Sequence, residues 1–434
     1  MALATAPASS EALLVIEADS GKVIHAENAG HPWYPASVTK LMTTYVTLRA
    51  VKEGRITLDT AVKVSANAAA QQPVKMGFPV GTVVTVENAL KMMLVRSSND
   101  MAVVLAEGVG GSIESFAGLM NENARRLGMV SSSFVNPNGL PADDQITSAR
   151  DLGILARALI REFPEYDHFW HIPAIKFGKT VMRNYNSLIG RYPGADGMKT
   201  GFICASGFNL VASASRNGKR MIAVVLGASS SQARAMKAAQ LLERGFNSSS
   251  SSSNALGWLT PSLGTVDALT PISEEPPNLR EEMCGAHRKR KATEDEDEAL
   301  GVTQNPDSPY GVFLASLRPR AKGEGPVEDA GGREPPVVVY TGPARKPGEP
   351  IPPEAADLKP KKPAKPAAAK AKSTDTKTAA TKPAKPAAAK DADGAPKAAA
   401  QSDSAPVAKP KPKKPPAPKT TESTQAPPQA AQTR

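Results

Sequence analysis

Large apolar side chains are distributed very unevenly along this chain of 434 residues, and that limits what it can fold into. Sixteen of the twenty aromatic residues precede position 247, and the four that follow are Trp258, Tyr310, Phe313 and Tyr340. A folded domain needs large apolar residues for its core, so we expect residues 10–247 to form the folded part. That length suffices for one substantial domain of helices and strands.

The rest of the sequence has the composition of an unfolded segment. A run of serines, Ser248–Ser253, resembles a flexible linker. From about Pro343 the chain is mostly proline, alanine and lysine, and KPAKPAAAK occurs at Lys362 and again at Lys382. Such a segment cannot bury enough apolar surface to offset the entropy lost on ordering. We therefore expect residues 248–434 to be a low-complexity, largely disordered tail.

Cysteines and histidines give no sign of a disulfide framework or a metal site. Cys204 and Cys284 are the only cysteines, and because Cys284 lies in the tail-like segment we expect both thiols to be free. The five histidines lack metal-ligand spacing, and we interpret HFWH at 168–171 as surface or core. We expect no metal and no cofactor.

The N-terminal residues suggest export. Residues 1–9 are rich in small side chains and contain an A-x-A pattern, as at the end of a secretory signal peptide. The basic and apolar parts of a signal peptide are missing, so an ordinary disordered N-terminus is the alternative to a signal remnant. The sequence has no run of about 18 apolar residues, so no transmembrane helix is predicted.

Strand patterns lie at both ends of the predicted domain, with helical patterns between them. The stretch ALLVIEADSGKVIHAENAG predicts two short strands joined at residues 19–21. Near the other end, SGFNLVASAS and KRMIAVVLGA flank Asn217 and Gly218, which is a strong hairpin signal. The helix QARAMKAAQLLERGF closes the domain. This arrangement predicts one sheet packed between helical layers.

Ser37 and Lys40 lie near the start of a helix that Pro35 is predicted to begin. Residues three apart on a helix are neighbours on one face. Burial of an amine disfavours its charged form, so Lys40 could take the proton of the Ser37 hydroxyl. The free N–H groups of a helix start favour negative charge developing there. Alone, however, an S-x-x-K pattern is weak, because it often occurs by chance.

Two further motifs make the pattern specific. RSSND supplies S-x-N at Ser97 and Asn99, directly after a predicted helix. ADGMKTGF supplies K-T-G at residues 199–201, before the predicted hairpin. The order, separation and placement of the three motifs are jointly specific, and the trio is found in serine β-lactamases and penicillin-binding proteins.

Residues 10–247 resemble the low-molecular-weight penicillin-binding proteins that act as serine-type D-alanyl-D-alanine carboxypeptidases. The similarity extends to MLVRSSNDMAVVLAE, FVNPNGL and GADGMKTGF. The resemblance implies an α/β (α+β) fold of the β-lactamase/transpeptidase type, an antiparallel sheet flanked by helices with a helical lobe. It also implies removal of the last D-alanine from peptidoglycan stem pentapeptides in cell-wall biosynthesis and remodelling. An acyl-enzyme would form and water would release it.

The resemblance also assigns catalytic roles. Ser37 would be the nucleophile and Lys40 its general base. The Ser97 hydroxyl would relay the proton to the leaving amine. The backbone N–H groups of Ser37 and Phe202 would form the oxyanion hole.

Substrate-binding roles follow in the same way. The Asn99 amide would hold the substrate backbone, and Lys199 would favour the neutral form of the general base by like-charge repulsion. Thr200 would bind the terminal carboxylate of the substrate, helped by Arg234, for which a solvated helix charge is the alternative. Gly201 would let the substrate lie along the strand edge.

The sequence departs from the family in three places. Phe202 and Ile203 follow K-T-G where His-Thr is usual, which affects pocket shape and rate rather than a backbone oxyanion role. Ser98 stands where glycine is usual. Neither the C-terminal β-rich domain nor the amphipathic anchor helix that many members carry is found, which leaves membrane attachment by that route without support.

Three alternative functions stay open. A class A-like β-lactamase would deacylate with a glutamate in an E-x-x-x-N-type loop, but neither Glu162 nor Glu165 is followed by asparagine at that spacing. A D,D-endopeptidase would cleave an interior bond and have no use for a carboxylate clamp. A catalytically silent wall-binding protein is the non-enzymatic alternative, which the intact trio disfavours.

The expected partners are the peptidoglycan stem peptide and, as covalent inhibitors, β-lactams that acylate Ser37. The lysine-rich tail resembles DNA-binding tails, but beside a domain of cell-wall type we expect no nucleic-acid partner. We interpret it as a solvated spacer, with weak attraction to anionic wall or membrane. The expected location is periplasmic or otherwise outside the cytoplasm.

Overall fold

The computed structural model describes residues 11–248, 263–286, 313, 334–346 and 348–351. By its internal contacts the chain divides at residue 365, and every described residue belongs to the first unit. Within these residues no single helix has the length and apolar character of a membrane span. One pair, Asn99–Gly110 with Ile113–Leu127, meets those criteria jointly but is bent by 83°.

In the part of the chain that the structure describes, ten strands form three sheets. Their bounds are β1 (Ala12–Glu17), β2 (Val23–Glu27), β3 (Ala61–Lys63), β4 (Val83–Thr85), β5 (Ala174–Phe177), β6 (Thr180–Arg183), β7 (Ala195–Ile203), β8 (Gly207–Arg216), β9 (Lys219–Ala228) and β10 (Val337–Val338). The main sheet has the order β2-β1-β9-β8-β7, and all its pairings are antiparallel. The strands β10-β5-β6 and β3-β4 form the two smaller sheets.

Eight α-helices accompany them in the described part of the chain. Their bounds are α1 (Lys40–Lys52), α2 (Ala66–Ala70), α3 (Val86–Arg96), α4 (Asn99–Gly110), α5 (Ile113–Leu127), α6 (Ala149–Glu162), α7 (Ser231–Ser248) and α8 (Arg280–Cys284). A 3-10 turn, Ala36–Thr39, leads directly into α1.

The main sheet is covered by a helix on each face. Successive side chains of a strand point to opposite faces, and β1 shows both contacts. Leu14 of β1 packs against Gly153 of α6, whereas Val15 packs against Gly245 of α7. The strand is therefore apolar on both faces, as its sequence ALLVIE indicates. The prediction of an antiparallel sheet between helical layers is confirmed.

The hairpin between β8 and β9 forms as predicted. Asn217 and Gly218 both have positive φ, 50° and 74°, which is the backbone of a two-residue type I′ turn. Its register pairs Arg216 with Lys219 directly across the turn. The hairpin places β8 beside the edge strand β7, which carries the K-T-G motif.

The helical lobe is inserted between β2 and β5. The helix α4 forms its centre, because Met101 to Ala106 are all fully buried. It packs against α1, α3 and α5. A helix without a polar face is stable only when other elements bury it on all sides. The lobe thus brings the C-terminal end of α3 and the start of α4 beside α1.

Two segments beyond residue 247 pack on this domain. Val266, Met283 and Val339 are almost completely buried, and β10 pairs in parallel with β5. The prediction of an unstructured tail from residue 248 onward is therefore wrong for residues 263–286 and 334–346. Their few apolar residues lie far apart in a sequence otherwise poor in them, so composition alone does not reveal that they reach the domain. The repeats at Lys362 and Lys382 lie outside the described residues.

The prediction of two free thiols is also wrong. Cys204 and Cys284 form a disulfide across 80 residues of sequence. The short helix α8 buries Met283 against the domain, and this brings Cys284 to the turn that follows β7. The sequence analysis placed Cys284 in an unfolded segment and so missed the pairing.

Candidate active site

Ser37 lies in the 3-10 turn before α1 rather than in an α-helical first turn. The preceding residue, Ala36, has a positive φ of 49°, which is uncommon for alanine. The Asn209 side chain of β8 holds this turn from below, since its Nδ2 donates to the Pro35 oxygen at 3.1 Å. The turn is thus tied to the main sheet, with Ser37 half-buried at its exposed side.

Lys40 is fully buried and its Nζ lies against three oxygen atoms. It donates to Ser37 Oγ at 2.8 Å, to Asn99 Oδ1 at 2.8 Å and to the backbone oxygen of Asn138 at 2.7 Å. Two of these partners are amide oxygens, which can only accept hydrogen bonds. Of these three partners, only the Ser37 hydroxyl can also donate a hydrogen bond.

The S-x-N motif spans the break between α3 and α4. Ser97 has φ 58° and ends α3 in the left-handed conformation, which turns the chain so that Asn99 begins α4. Ser98 is the buried pivot, and its Oγ donates to the Met92 oxygen at 3.1 Å. The motif follows a helix as predicted, but only Ser97 and Ser98 lie outside the helices, because Asn99 already belongs to α4.

Asn99 is fixed from the side opposite Lys40. Its backbone N–H donates to the Val74 oxygen at 2.8 Å, and its Nδ2 donates to the Gln72 oxygen at 3.0 Å. The next residue, Asp100, accepts from the N–H groups of Met76 and Gly77. Burial raises the pKa of Asp100, and these backbone donors counter that effect. The sequence analysis did not predict that the loop 72–77 and Asp100 hold Asn99 in place.

The loop 136–139 is the second contribution that sequence analysis missed. Besides the Asn138 carbonyl, it supplies Gly139, which has φ +80°. A Cβ at Gly139 would lie 1.8 Å from the Ala36 oxygen, so only glycine fits against the strained turn. The turn-forming residues of FVNPNGLP predict a tight loop, but nothing in this stretch predicts that the loop contacts Lys40.

The K-T-G motif lies on the edge strand β7, as predicted. Lys199 is buried and its Nζ donates to the Thr200 oxygen at 2.9 Å. Thr200 is also buried, and its hydroxyl has no hydrogen-bond partner among the residues that the structure describes. Gly201 approaches the nucleophile turn, where an ideal Cβ would lie 2.9 Å from the Ser37 nitrogen.

Arg234 and Phe202 are connected through one aromatic ring. Phe202 stacks on Phe208 with ring centroids 4.3 Å apart, and the Arg234 guanidinium lies 5.7 Å from the Phe208 centroid. Arg234 is buried on α7, and its Nη1 lies 3.4 Å from the Asn209 oxygen. It therefore packs behind the K-T-G strand, against β8. It is not the solvated charge of the alternative interpretation.

Of the nine predicted site residues, the structure joins Ser37, Lys40 and Asn99 by hydrogen bonds and places Gly201 against the Ser37 nitrogen. The other five lie on the same or neighbouring elements: Ser97 precedes α4, Lys199, Thr200 and Phe202 lie on β7, and Arg234 packs behind that strand. The profile of the family described as D-alanyl-D-alanine carboxypeptidase (Peptidase_S11) matches residues 2–230, more than half of the chain. The chain belongs to this D-alanyl-D-alanine carboxypeptidase family.

Individual members of the carboxypeptidase family are moderately similar. D-alanyl-D-alanine carboxypeptidase DacC of Escherichia coli is 38% identical over 244 residues, which are 55% of this chain and 61% of DacC. DacB2 of Mycobacterium tuberculosis is 30% identical, over 49% of this chain and 73% of its own. This chain spans about 60% of the length of several curated relatives that it matches.

Solved structures of family members share the fold. The crystal structure of DacD from Francisella tularensis has a TM-score of 0.54 and 31% identity, covering 56% of this chain and 71% of that one. Penicillin-binding protein 6B from Escherichia coli has a TM-score of 0.52 and 35% identity, covering 54% and 76%. The prediction of this family and of its transpeptidase-like fold is therefore confirmed.

Proposed function

We propose that the protein is a serine-type D-Ala-D-Ala carboxypeptidase that removes the terminal D-alanine from peptidoglycan stem pentapeptides. The observation that carries the proposal is the position of Lys40 Nζ between Ser37 Oγ and two amide oxygens. A neutral lysine keeps two N–H groups and one lone pair. Asn99 and Asn138 can take the two N–H groups, and the lone pair then faces the Ser37 hydroxyl.

This geometry supports proton transfer from Ser37 to Lys40. As the serine oxygen attacks the scissile carbonyl, its proton passes to Nζ, which lies 2.8 Å from Oγ, and the resulting ammonium donates to all three oxygens. The Ser97 hydroxyl, at the turn before Asn99, would carry the proton on to the leaving D-alanine amine. The N–H groups of Ser37 and Phe202 would hold the oxyanion, since Gly201 brings β7 against the Ser37 nitrogen.

The K-T-G strand supplies a place for the substrate carboxylate. The Thr200 hydroxyl is buried without a partner in the described structure, and such a group is destabilising by about 1–3 kcal/mol. A carboxylate oxygen would accept its hydrogen bond. Lys199 adds a positive charge beside it, and Arg234 a second one behind the sheet. These charges favour a substrate with a free C-terminus over an interior peptide bond.

The same site would react with β-lactams, whose strained amide presents a carbonyl to Ser37. Several related solved structures are named penicillin-binding proteins. We infer that the protein acts outside the cytoplasm, where a peptidoglycan substrate lies. The Cys204–Cys284 disulfide supports it, because disulfides persist in oxidising compartments.

The lysine-rich tail would contribute charge-driven contacts to the anionic wall or membrane. Residues 352–434 hold 17 Lys and Arg against seven Asp and Glu, so they account for ten of the eleven net positive charges. The preceding part of the chain is close to neutral. Attraction of this kind weakens with salt because counterions screen it.

The test is release of free D-alanine from a soluble pentapeptide, together with covalent labelling by a fluorescent penicillin. The wild-type protein should do both, and Ser37→Ala should do neither. Ser115→Ala, on an exposed position of α5, is the matched control and should behave as wild type. Labelling of Ser37→Ala would remove Ser37 as the nucleophile.

Two substrates separate the alternatives. Rapid turnover of penicillin would indicate a β-lactamase, whereas a carboxypeptidase keeps the acyl group for longer. Glu162 argues against that reading, since it binds the Tyr45 hydroxyl and Arg126 at the end of α6. Cleavage of a cross-linked peptide without D-alanine release would indicate an endopeptidase. If neither penicillin nor the cross-linked peptide reacts, the remaining alternative is a catalytically silent wall-binding protein.

A further inference from the structure

The segment 264–284, here called the belt, runs along the domain after the predicted boundary. Its first anchor lies at the turn between β1 and β2. The Val23 N–H donates to the Gly264 oxygen, and the Val266 N–H donates to the Gly21 oxygen, each at 2.9 Å. The Val266 side chain is fully buried. The belt therefore begins as an integral part of the core.

Arg150 of α6 holds the middle of the belt. Its Nε donates to the Leu269 oxygen and its Nη2 to the Asp267 oxygen, each at 2.9 Å. The guanidinium is buried, and Asp151 pairs with it at 2.7 Å. A buried arginine that binds backbone carbonyls fixes the path of the belt at the short 3-10 turn Val266–Ala268 and the residue that follows it.

The last anchor of the belt is the turn between β7 and β8. The Leu279 N–H donates to the Ala205 oxygen at 3.0 Å, and Cys284 forms the disulfide with Cys204. On its other side the same turn is held by Trp33, whose Nε1 donates to the Ser206 oxygen at 3.0 Å. The turn is thus fixed by the core on one side and by the belt on the other.

This turn directly follows the strand that faces Ser37. Gly201 and Phe202 precede Cys204 by three and two residues, and Gly201 lies against the Ser37 nitrogen. We propose that the Cys204–Cys284 disulfide is a positioning element for the acylation reaction, which holds the end of the K-T-G strand and its Phe202 N–H in place beside Ser37. The proposal rests on the proposed function, in which that N–H binds the oxyanion.

Reaction rates are sensitive to such placement. A displacement of about 1 Å at a reacting centre can lower a rate by about a hundredfold. Loss of one of the two fixations should displace the strand end partially, because Trp33 still holds the turn. We expect the disulfide to matter for the rate constant of acylation more than for the ability to fold.

The experiment compares the double variant Cys204→Ser/Cys284→Ser with wild type in a time course of fluorescent penicillin labelling. We expect the limiting acylation rate constant to fall about tenfold, a part of the loss that full displacement would produce. The final amount of labelled protein should stay near wild type. The control is Val266→Ala, which weakens the first anchor of the belt and lowers the unfolding temperature but should leave the rate constant unchanged.

Reduction of the wild-type protein is the second measurement, and it decides the matter if the double variant does not fold. A dithiol reagent supplies two electrons and two protons, gives two cysteine thiols and becomes a disulfide itself. Acylation should slow on reduction and recover on reoxidation. Reduction should not change the rate of the double variant.

An unchanged rate constant in the folded double variant, or in the reduced protein, would overturn the proposal and leave the disulfide with a stabilising role only. Equal slowing by Val266→Ala would also overturn it, because the effect would then follow stability. Failure of the proposed function looks different, since the wild-type protein itself would then not be labelled.

Discussion

The Nζ of Lys40 donates a 2.7 Å hydrogen bond to the backbone oxygen of Asn138, which lies 98 residues further along the chain. A backbone carbonyl cannot change its protonation state or donate, so it fixes one N–H of the amine in every state. Together with Asn99 it determines which side of the nitrogen faces Ser37. The general base is therefore oriented by two elements that are distant in sequence.

Lys40→Arg should slow acylation strongly, although arginine keeps N–H groups that can donate hydrogen bonds. A guanidinium stays protonated at any accessible pH and cannot accept the serine proton. We expect the acylation rate to fall by about 10²–10⁴-fold, the usual contribution of a general base. Penicillin labelling measures it, and Lys52→Arg at the exposed end of α1 is the control. Normal acylation by Lys40→Arg would show that another group takes the proton.

Gly201→Ala should slow acylation while the domain stays folded. The new Cβ would lie 2.9 Å from the Ser37 nitrogen and 3.0 Å from the Pro35 oxygen, and both are backbone atoms. The strand and the nucleophile turn would have to separate, and loss of oxyanion contacts lowers rates by about 10²–10³-fold.

The matched control for this variant is Gly118→Ala. Gly118 lies in α5, is exposed and has no atom near an added Cβ. Alanine should stabilise this helix by about 0.5–1 kcal/mol and leave labelling unchanged. If Gly201→Ala is labelled as fast as Gly118→Ala, the close approach of β7 to Ser37 has no part in the reaction.

Arg234→Ala should raise the KM for a pentapeptide more than it slows acylation by a penicillin ester whose carboxylate is blocked. A charge-assisted hydrogen bond contributes about 1.5–3 kcal/mol, which corresponds to a rise of roughly tenfold or more. Steady-state kinetics with both substrates measure it, with Arg244→Ala on the exposed side of α7 as control. Equal losses on both substrates would mean that Arg234 acts by packing on Phe208.

His171 should make stability depend on pH near neutrality. Its hydrogen bond to Asp167, 2.8 Å long, raises the pKa of His171 above the ordinary value of 6.5. Burial tends to raise the pKa of Asp167, but bonds from His171 and Arg220 outweigh it, and the pKa of Asp167 is lowered. Because the folded-state pKa of the histidine is the higher one, its stabilisation is complete below pH 6.5 and is lost as the pH rises through the folded-state value.

The comparison for this effect is His171→Gln. The wild-type protein should be more stable than the variant at acidic pH, by less than about 1 kcal/mol because the pair is partly exposed. The difference in the free energy of unfolding should shrink as the pH rises through the raised folded-state pKa of His171. Urea unfolding at several pH values measures it. A constant difference would show that the ring acts by packing alone.

The local features of this protein could be predicted from its sequence because they depend on neighbouring residues. Asn217 and Gly218 tolerate positive φ and so specify their hairpin. The spacing of Ser37 and Lys40 brings the two side chains together over less than one turn of helix. The three motifs together indicated one site, although their contacts with each other were not visible in any single stretch.

Tertiary structure decided what depends on the path of the backbone. The Asn138 carbonyl has no side-chain signature, and every residue carries the same group. The left-handed turn at Ser97, which starts α4 at Asn99, follows from packing of the lobe. Cys284 pairs with Cys204 because the buried side chains of Val266 and Met283 hold the belt against the domain. The sequence of a polar segment with a few apolar residues does not show where those residues will pack. Sequence spacing therefore determined the chemical groups of the site, whereas long-range packing determined how they are held.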